Sequence, residues 1–249
     1  MPSTLAARNV SHSFGEIVAL DDVSVEVAAG TATALVGESG SGKTTLLRCF
    51  NRLIEPLRGD VLVGERNVRE QDAIALRRSI GYVQQHGGLI PHWRVLRNVE
   101  LVPTLRGQTD VPAKSRSALD LVGLPPAEFG SRFPHELSGG QRQRVALARS
   151  IAAQPEVILL DEPFGALDAI SRAELQDSFN KLRRRLTVTA LLVTHDLAEA
   201  ARLADDVVVI RRGRIEQRGP MSLLVSAPAT AYVARLIEQA RASLEGLLA

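Results

Sequence analysis

The octapeptide Gly37–Thr44, GESGSGKT, constrains this chain more than any other stretch. It fits the pattern G-x-x-x-x-G-K-[ST]. A short apolar run, Thr31–Val36, precedes it. Leu46, Leu47, Phe50, Leu53 and Ile54 follow at helical spacing, up to a stop at Pro56. Strand, glycine turn and helix in that order converge backbone N–H groups and the positive end of a helix dipole on one anion. Among the 30 Lys and Arg residues only Lys43, Lys114 and Lys181 are lysine, and one of the three stands in this loop, where a compact ammonium is needed. The spacing predicts that Lys43 reaches the β- and γ-phosphates of a nucleotide and that the Thr44 hydroxyl ligates Mg²⁺.

The rest of the pattern is α/β. Val23–Val27 (VSVEV) alternates as a half-buried strand does, and Val157–Leu160, Ala190–Val193 and Val207–Ile210 read as buried strands. Helical stretches between them imply crossovers and a mostly parallel sheet. From about 86 to 135 the chain carries Pro91, Pro103, Pro112, Pro125 and Pro126, which predicts short helices separated by loops. With the amphipathic helix Gln141–Ala153, this stretch reads as a helical subdomain, about 86–153, inserted in the core. The tail from 221 to 249 is Ala/Leu-rich and is expected to be helical.

Composition removes some functions. A formal net charge of +2 is too weak for a nucleic-acid binder, and the run Lys181–Arg185 (KLRRR) reads as a solvated helix face. No stretch approaches the roughly 18 apolar residues of a membrane span, and the first ten residues, MPSTLAARNV, contain no apolar signal core. Work at a membrane would therefore require docking onto one. The single cysteine, Cys49, falls at an expected helix core position.

Two further motifs carry chemistry. Val157–Pro163 (VILLDEP) delivers two carboxylates at the end of a buried strand, where open α/β sheets bind ligands. Asp161 suits a Mg²⁺ shell and Glu162 suits polarising an attacking water. Leu137–Gln141 (LSGGQ) opens a helix with Ser138, Gly139 and Gly140, a second anion site. ATP has only one γ-phosphate. The economical arrangement is a dimer in which each ATP is held by one copy's phosphate loop and the other copy's SGG.

The order GESGSGKT, LSGGQ, LLDEP, GALD and TH resembles the nucleotide-binding domain of ABC transporters. The resemblance implies a P-loop (RecA-like) ATPase core over residues 1–220 with a mostly parallel sheet, an N-terminal antiparallel β-subdomain and an inserted helical subdomain. It implies ATP and Mg²⁺ as ligands, with Gly37, Glu38, Ser39, Gly40, Ser41, Gly42, Lys43, Thr44 and Thr45 forming the phosphate site. Ser138, Gly139, Gly140 and Gln141 would meet the ATP of the second copy. Position by position, Phe14 (HSFG) matches the aromatic that stacks on adenine, although the family more often has tyrosine there. Gln85 matches the glutamine that reaches Mg²⁺ and the attacking water and senses the membrane partner, with Gln84 beside it. Asp168 (GALD) matches the loop that communicates across the dimer, and His195 (VTHD) the switch histidine at the γ-phosphate. The implied partners are a second copy, multi-spanning permease subunits and, indirectly, a substrate-binding protein, at the cytoplasmic face of the membrane.

Residues 51–59, 75–92 and 98–107 look like the ATPases of osmoprotectant importers for glycine betaine, choline or carnitine, with GLIPH and NVELVP the most telling elements. Such ATPases often carry C-terminal CBS modules, which the tail 221–249 is too short to hold. The alternatives are a methionine or polar amino-acid importer, or an ABC ATPase that moves no cargo. A P-loop kinase or switch GTPase would lack LSGGQ and His195.

Overall fold

The structure is a computed structural model that describes residues 2–85, 87–165 and 167–245. Its strands, in chain order, are β1 (Leu5–Phe14), β2 (Ile17–Val27), β3 (Ala32–Val36), β4 (Arg58–Val63), β5 (Arg66–Asn67), β6 (Ile80–Val83), β7 (Val157–Asp161), β8 (Thr189–Thr194), β9 (Asp206–Arg211) and β10 (Arg214–Gly219). The helices are α1 (Lys43–Phe50), α2 (Ala73–Ser79), α3 (Val95–Leu105), α4 (Val111–Leu121), α5 (Pro126–Phe129), α6 (Gly139–Ile151), α7 (Ala169–Leu186), α8 (Leu197–Leu203), α9 (Met221–Ser226) and α10 (Ala231–Glu245). The chain divides into two compact units. The phosphate-loop unit holds Ser3–Ala73 and the residues from Leu191 onward; the helical unit holds Ile74–Ala190.

In the phosphate-loop unit an antiparallel sheet runs in the order β2-β1-β4-β5. The VSVEV alternation holds: Val23, Val25 and Val27 are buried while Ser24 and Glu26 are exposed, with Val25 opposite Ala7 and Val27 opposite Leu5. A second sheet has strand order β10-β9-β3-β8 in this unit. All five residues of β3 are buried, and β3 lies parallel to β9 with Val36 opposite Val209. Apolar residues on both faces are what a covered parallel strand requires. Helix α1 follows and buries Leu46, Leu47, Cys49 and Phe50. Burial pushes the Cys49 thiol up to about 12, which makes it an inert core group.

Helix α1 stops earlier than the apolar spacing predicts. The Asn51 side chain accepts from Leu53 N–H at 3.1 Å, and Arg52 turns left-handed at φ 56. Leu53 is then 50% exposed. The side-chain turn at Asn51 outcompetes the continuing periodicity. The tail is helical over α9 and α10, with Tyr232, Val233 and Ile237 buried.

In the helical unit the strand order is β8-β7-β6, with β6 parallel to β7 and Val83 opposite Leu160. The α/β class and mostly parallel sheet predicted from the strand runs are thus present. Helices α3, α4 and α6 pack on one another. Pro103 lies inside α3 rather than at a boundary, two residues from its end. The KLRRR run is not wholly solvated. It lies in α7, whose 3.6-residue period turns Leu182 and Arg183 inward beside Leu175 and Phe179, leaving Arg183 only 7% exposed. Among the described residues no helix is long and apolar enough to cross a membrane.

Candidate functional site

In the phosphate-loop unit, β3 ends at Val36 and the loop runs from Gly37 into α1. Gly42 is the N-cap of α1 at φ 106, and a Cβ there would meet Ala19 O at 2.3 Å, so only glycine fits. The loop is braced by hydrogen bonds from Ser41 N to Glu38 O (3.2 Å) and from Gly213 N to Ser41 O (3.0 Å). Lys43 is 5% exposed, and its Nζ donates to Gly37 O (2.8 Å), Glu38 O (2.6 Å) and Ser41 Oγ (3.3 Å). Glu38, Ser39 and Gly40 are exposed, and Thr44 and Thr45 are half-buried in the first turn of α1.

His195 follows β8 directly and is exposed. The next residue, Asp196, caps α8, its Oδ1 accepting from Ala198 N (2.7 Å) and Glu199 N (3.3 Å). His195 is thereby carried between a buried strand end and a capped helix. Phe14 ends β1 and is 52% exposed, with its ring edge-to-face on His12 at 4.7 Å. His12 was not singled out from sequence. The signal available is its i, i+2 spacing from Phe14, which puts both rings on one face of a strand.

In the helical unit β7 delivers Asp161, 1% exposed, and then Glu162, whose φ of 46 is left-handed. Gln85 Nε2 donates to Glu162 Oε2 at 3.0 Å, which leaves the Gln85 amide oxygen as a second polar group. Gln84 turns elsewhere: its side chain lies 3.0 Å from where a Gly88 Cβ would stand. The turn beyond is clamped by Arg149 of α6, which donates to Gly87 O and Gly88 O, each at 2.7 Å. Arg149 is 8% exposed, and burial lowers its affinity for the proton from the usual guanidinium value. Sequence reasoning missed it, because a bond to main-chain carbonyls leaves no partner residue type to read.

Ser138 caps α6 in a reciprocal box. Its Oγ accepts from Gln141 N at 3.2 Å, and Gln141 Oε1 accepts from Ser138 N at 2.9 Å. Gly139 and Gly140 are half-buried in the first turn, and a Cβ on Gly140 would lie 3.2 Å from Leu167. Asp168 caps α7 through Ser171 N at 2.9 Å, and hydrogen bonding from Ser171 holds its carboxyl below the usual carboxylate range.

Each unit thus ends a buried strand in a glycine-rich or acidic turn built to meet anions and cations, and the comparisons with known proteins agree with that class. The ABC transporter family profile matches residues 20–165, and the chain belongs to this family. It is 43% identical over 240 residues to the choline transport ATP-binding protein OpuBA of Bacillus subtilis (strain 168), covering 95% of this chain and 63% of that protein. It is 45% identical over 235 residues to the sulfate/thiosulfate import ATP-binding protein CysA of Mycobacterium tuberculosis (strain CDC 1551 / Oshkosh), covering 94% of this chain and 66% of that one. The chain therefore spans just under two thirds of the length of these relatives. The dimeric post-hydrolysis structure of the ATP-binding cassette MJ0796 bound to ADP and Pi is similar with a TM-score of 0.80 and 32% identity, covering 87% of this chain and 98% of that one.

Proposed function

We propose that this chain is the ATP-binding and ATP-hydrolysing subunit of an ABC importer for osmoprotectants such as choline or glycine betaine. One observation carries the reading: a single chain holds both the Lys43 loop and the Ser138-capped helix start, two anion sites for one γ-phosphate. The cargo class is supported by the likeness to OpuBA and by the stretches 75–92 and 98–107.

In this reading the amides of Gly37–Thr45 cradle the phosphates of ATP, Lys43 neutralises the β- and γ-oxygens, and Phe14 stacks on adenine. The Thr44 hydroxyl, the Asp161 carboxylate and the Gln85 amide oxygen are each oxygen donors of the kind that Mg²⁺ takes. They would hold that ion, whose chemistry there is neutralising phosphate charge. Glu162 takes the proton of the attacking water. His195 contacts the γ-phosphate, and Ser138, Gly139, Gly140 and Gln141 of a second copy close over it, with Asp168 relaying between copies. Hydrolysis removes the group that joins the two copies, the dimer opens, and the Gln85 loop passes the change to permease subunits at the cytoplasmic face of the membrane. A substrate-binding protein would deliver the cargo from the other side.

The test is uptake of labelled choline, glycine betaine and sulfate in cells with and without this chain, at low and high osmolarity. The expected result is loss of choline or glycine betaine uptake that the intact chain restores and Glu162→Gln does not. Loss of sulfate uptake alone would give the CysA likeness the better claim to the cargo. No change in any of the three would refute the importer assignment for these cargoes.

A further inference from the structure

The C-terminal helix α10 reaches the phosphate loop through one side chain. Tyr232 is 4% exposed, and its hydroxyl accepts a hydrogen bond from Glu38 N–H at 3.3 Å. That N–H belongs to the peptide joining Gly37 to Glu38, whose carbonyl oxygen accepts from Lys43 Nζ at 2.8 Å. A trans peptide points its C=O and N–H in opposite directions. This one planar unit is therefore held at one end by Lys43 and at the other by Tyr232. The following carbonyl, Glu38 O, also accepts from Lys43, at 2.6 Å.

Tyr232 is itself fixed. The guanidinium of Arg211, at the end of β9, lies over its ring at 4.5 Å. Burial raises the phenol above its ordinary value, so the hydroxyl keeps its proton at neutral pH. The loop's first residue leans on the same strand: a Cβ on Gly37 would meet Ile210 O at 2.1 Å. Strand β9 thus supports Gly37 directly and, through Arg211, the ring that holds the next peptide.

We propose that Tyr232 is a positioning residue for the phosphate loop, through which α10 sets the orientation of the Gly37–Glu38 peptide that holds Lys43. The proposal rests on the reading of Gly37–Thr45 as the ATP site. In this role Tyr232 touches no phosphate and acts through Lys43. A partner that shifts α10 would change nucleotide affinity without entering the site.

The experiment is steady-state ATP hydrolysis by the full chain and by Tyr232→Phe, with thermal unfolding of both. Phenylalanine keeps the ring under Arg211 and removes only the hydroxyl. The expected result is a rise in KM for ATP of roughly two- to tenfold, the range for one hydrogen bond. That rise should exceed any fall in kcat and leave the melting temperature as in the parent chain. An unchanged KM would overturn the proposal, as would KM, kcat and melting temperature worsening together. A parent chain that hydrolyses no ATP would refute the underlying ATPase reading, and the proposal with it.

Discussion

Glu162 occupies a left-handed backbone conformation, φ 46, that residues with a Cβ seldom adopt. Strain of this kind persists where surrounding structure over-determines it, and here β7 fixes one side while Gln85 holds the carboxylate. Glu162→Gln keeps the shape and removes the carboxylate proposed as the base. We expect turnover to fall by roughly 10²–10⁴-fold while ATP binding survives, measured as phosphate release against equilibrium nucleotide binding. Normal turnover in the variant would take the base role from Glu162. Asp168 gives a pH prediction. Its folded value is lowered, so its capping contribution is complete above the ordinary carboxylate range and is lost only as pH falls through that lowered value. Carboxyl-carbon NMR should show Asp168 titrating below an ordinary exposed carboxylate; a midpoint at the ordinary value would sink this. At this scale placement was legible where a residue type follows an apolar strand at a fixed spacing, as with Lys43 at the start of α1 and with Asp161 and Glu162 at the end of β7. Gln85 and Gln84 are chemically the same, and only the fold decides which amide reaches Glu162. Tyr232 and Arg149 bond main-chain atoms, so no pattern of residue types announces them.

Among the elements, strands were easier to read than helix ends. The buried runs at β3, β7 and β9 are apolar on both faces, and little competes with that signal. Helix α1 failed at its C-terminus because a local side-chain turn at Asn51 beat the hydrophobic period. Charge runs mislead for a related reason: a helix rotates one residue in three or four inward whatever its charge, as at Arg183. Outside its own cap, α6 is tied to the turn after Gln85 by Arg149, which satisfies two carbonyls there. Arg149→Ala leaves both without their partner, and we expect a loss of about 3 kcal/mol in urea unfolding. Arg149→Lys should recover only part of it, because an ammonium lacks the planar fork. An unchanged unfolding midpoint in the alanine variant would mean that the clamp contributes nothing to stability.

For the whole molecule, the proposed ATP sandwich predicts a change of mass. The Glu162→Gln chain should double its mass by light scattering when ATP is added and return to the single-copy mass when ATP is removed. A mass unmoved by ATP would contradict closure around the nucleotide. The chain also passes between its two units in the middle of regular structure, at the start of α2 and inside β8, where Ala190 and Leu191 are consecutive residues of one strand. Linkers that separate independently folding domains are exposed and loop-like; the crossing inside β8 is neither, with Ala190 and Leu191 both buried. Brief protease treatment should therefore release no intact helical unit. Anyone wishing to graft that unit onto another ATPase would have to splice through a buried strand, matching its register to the residue.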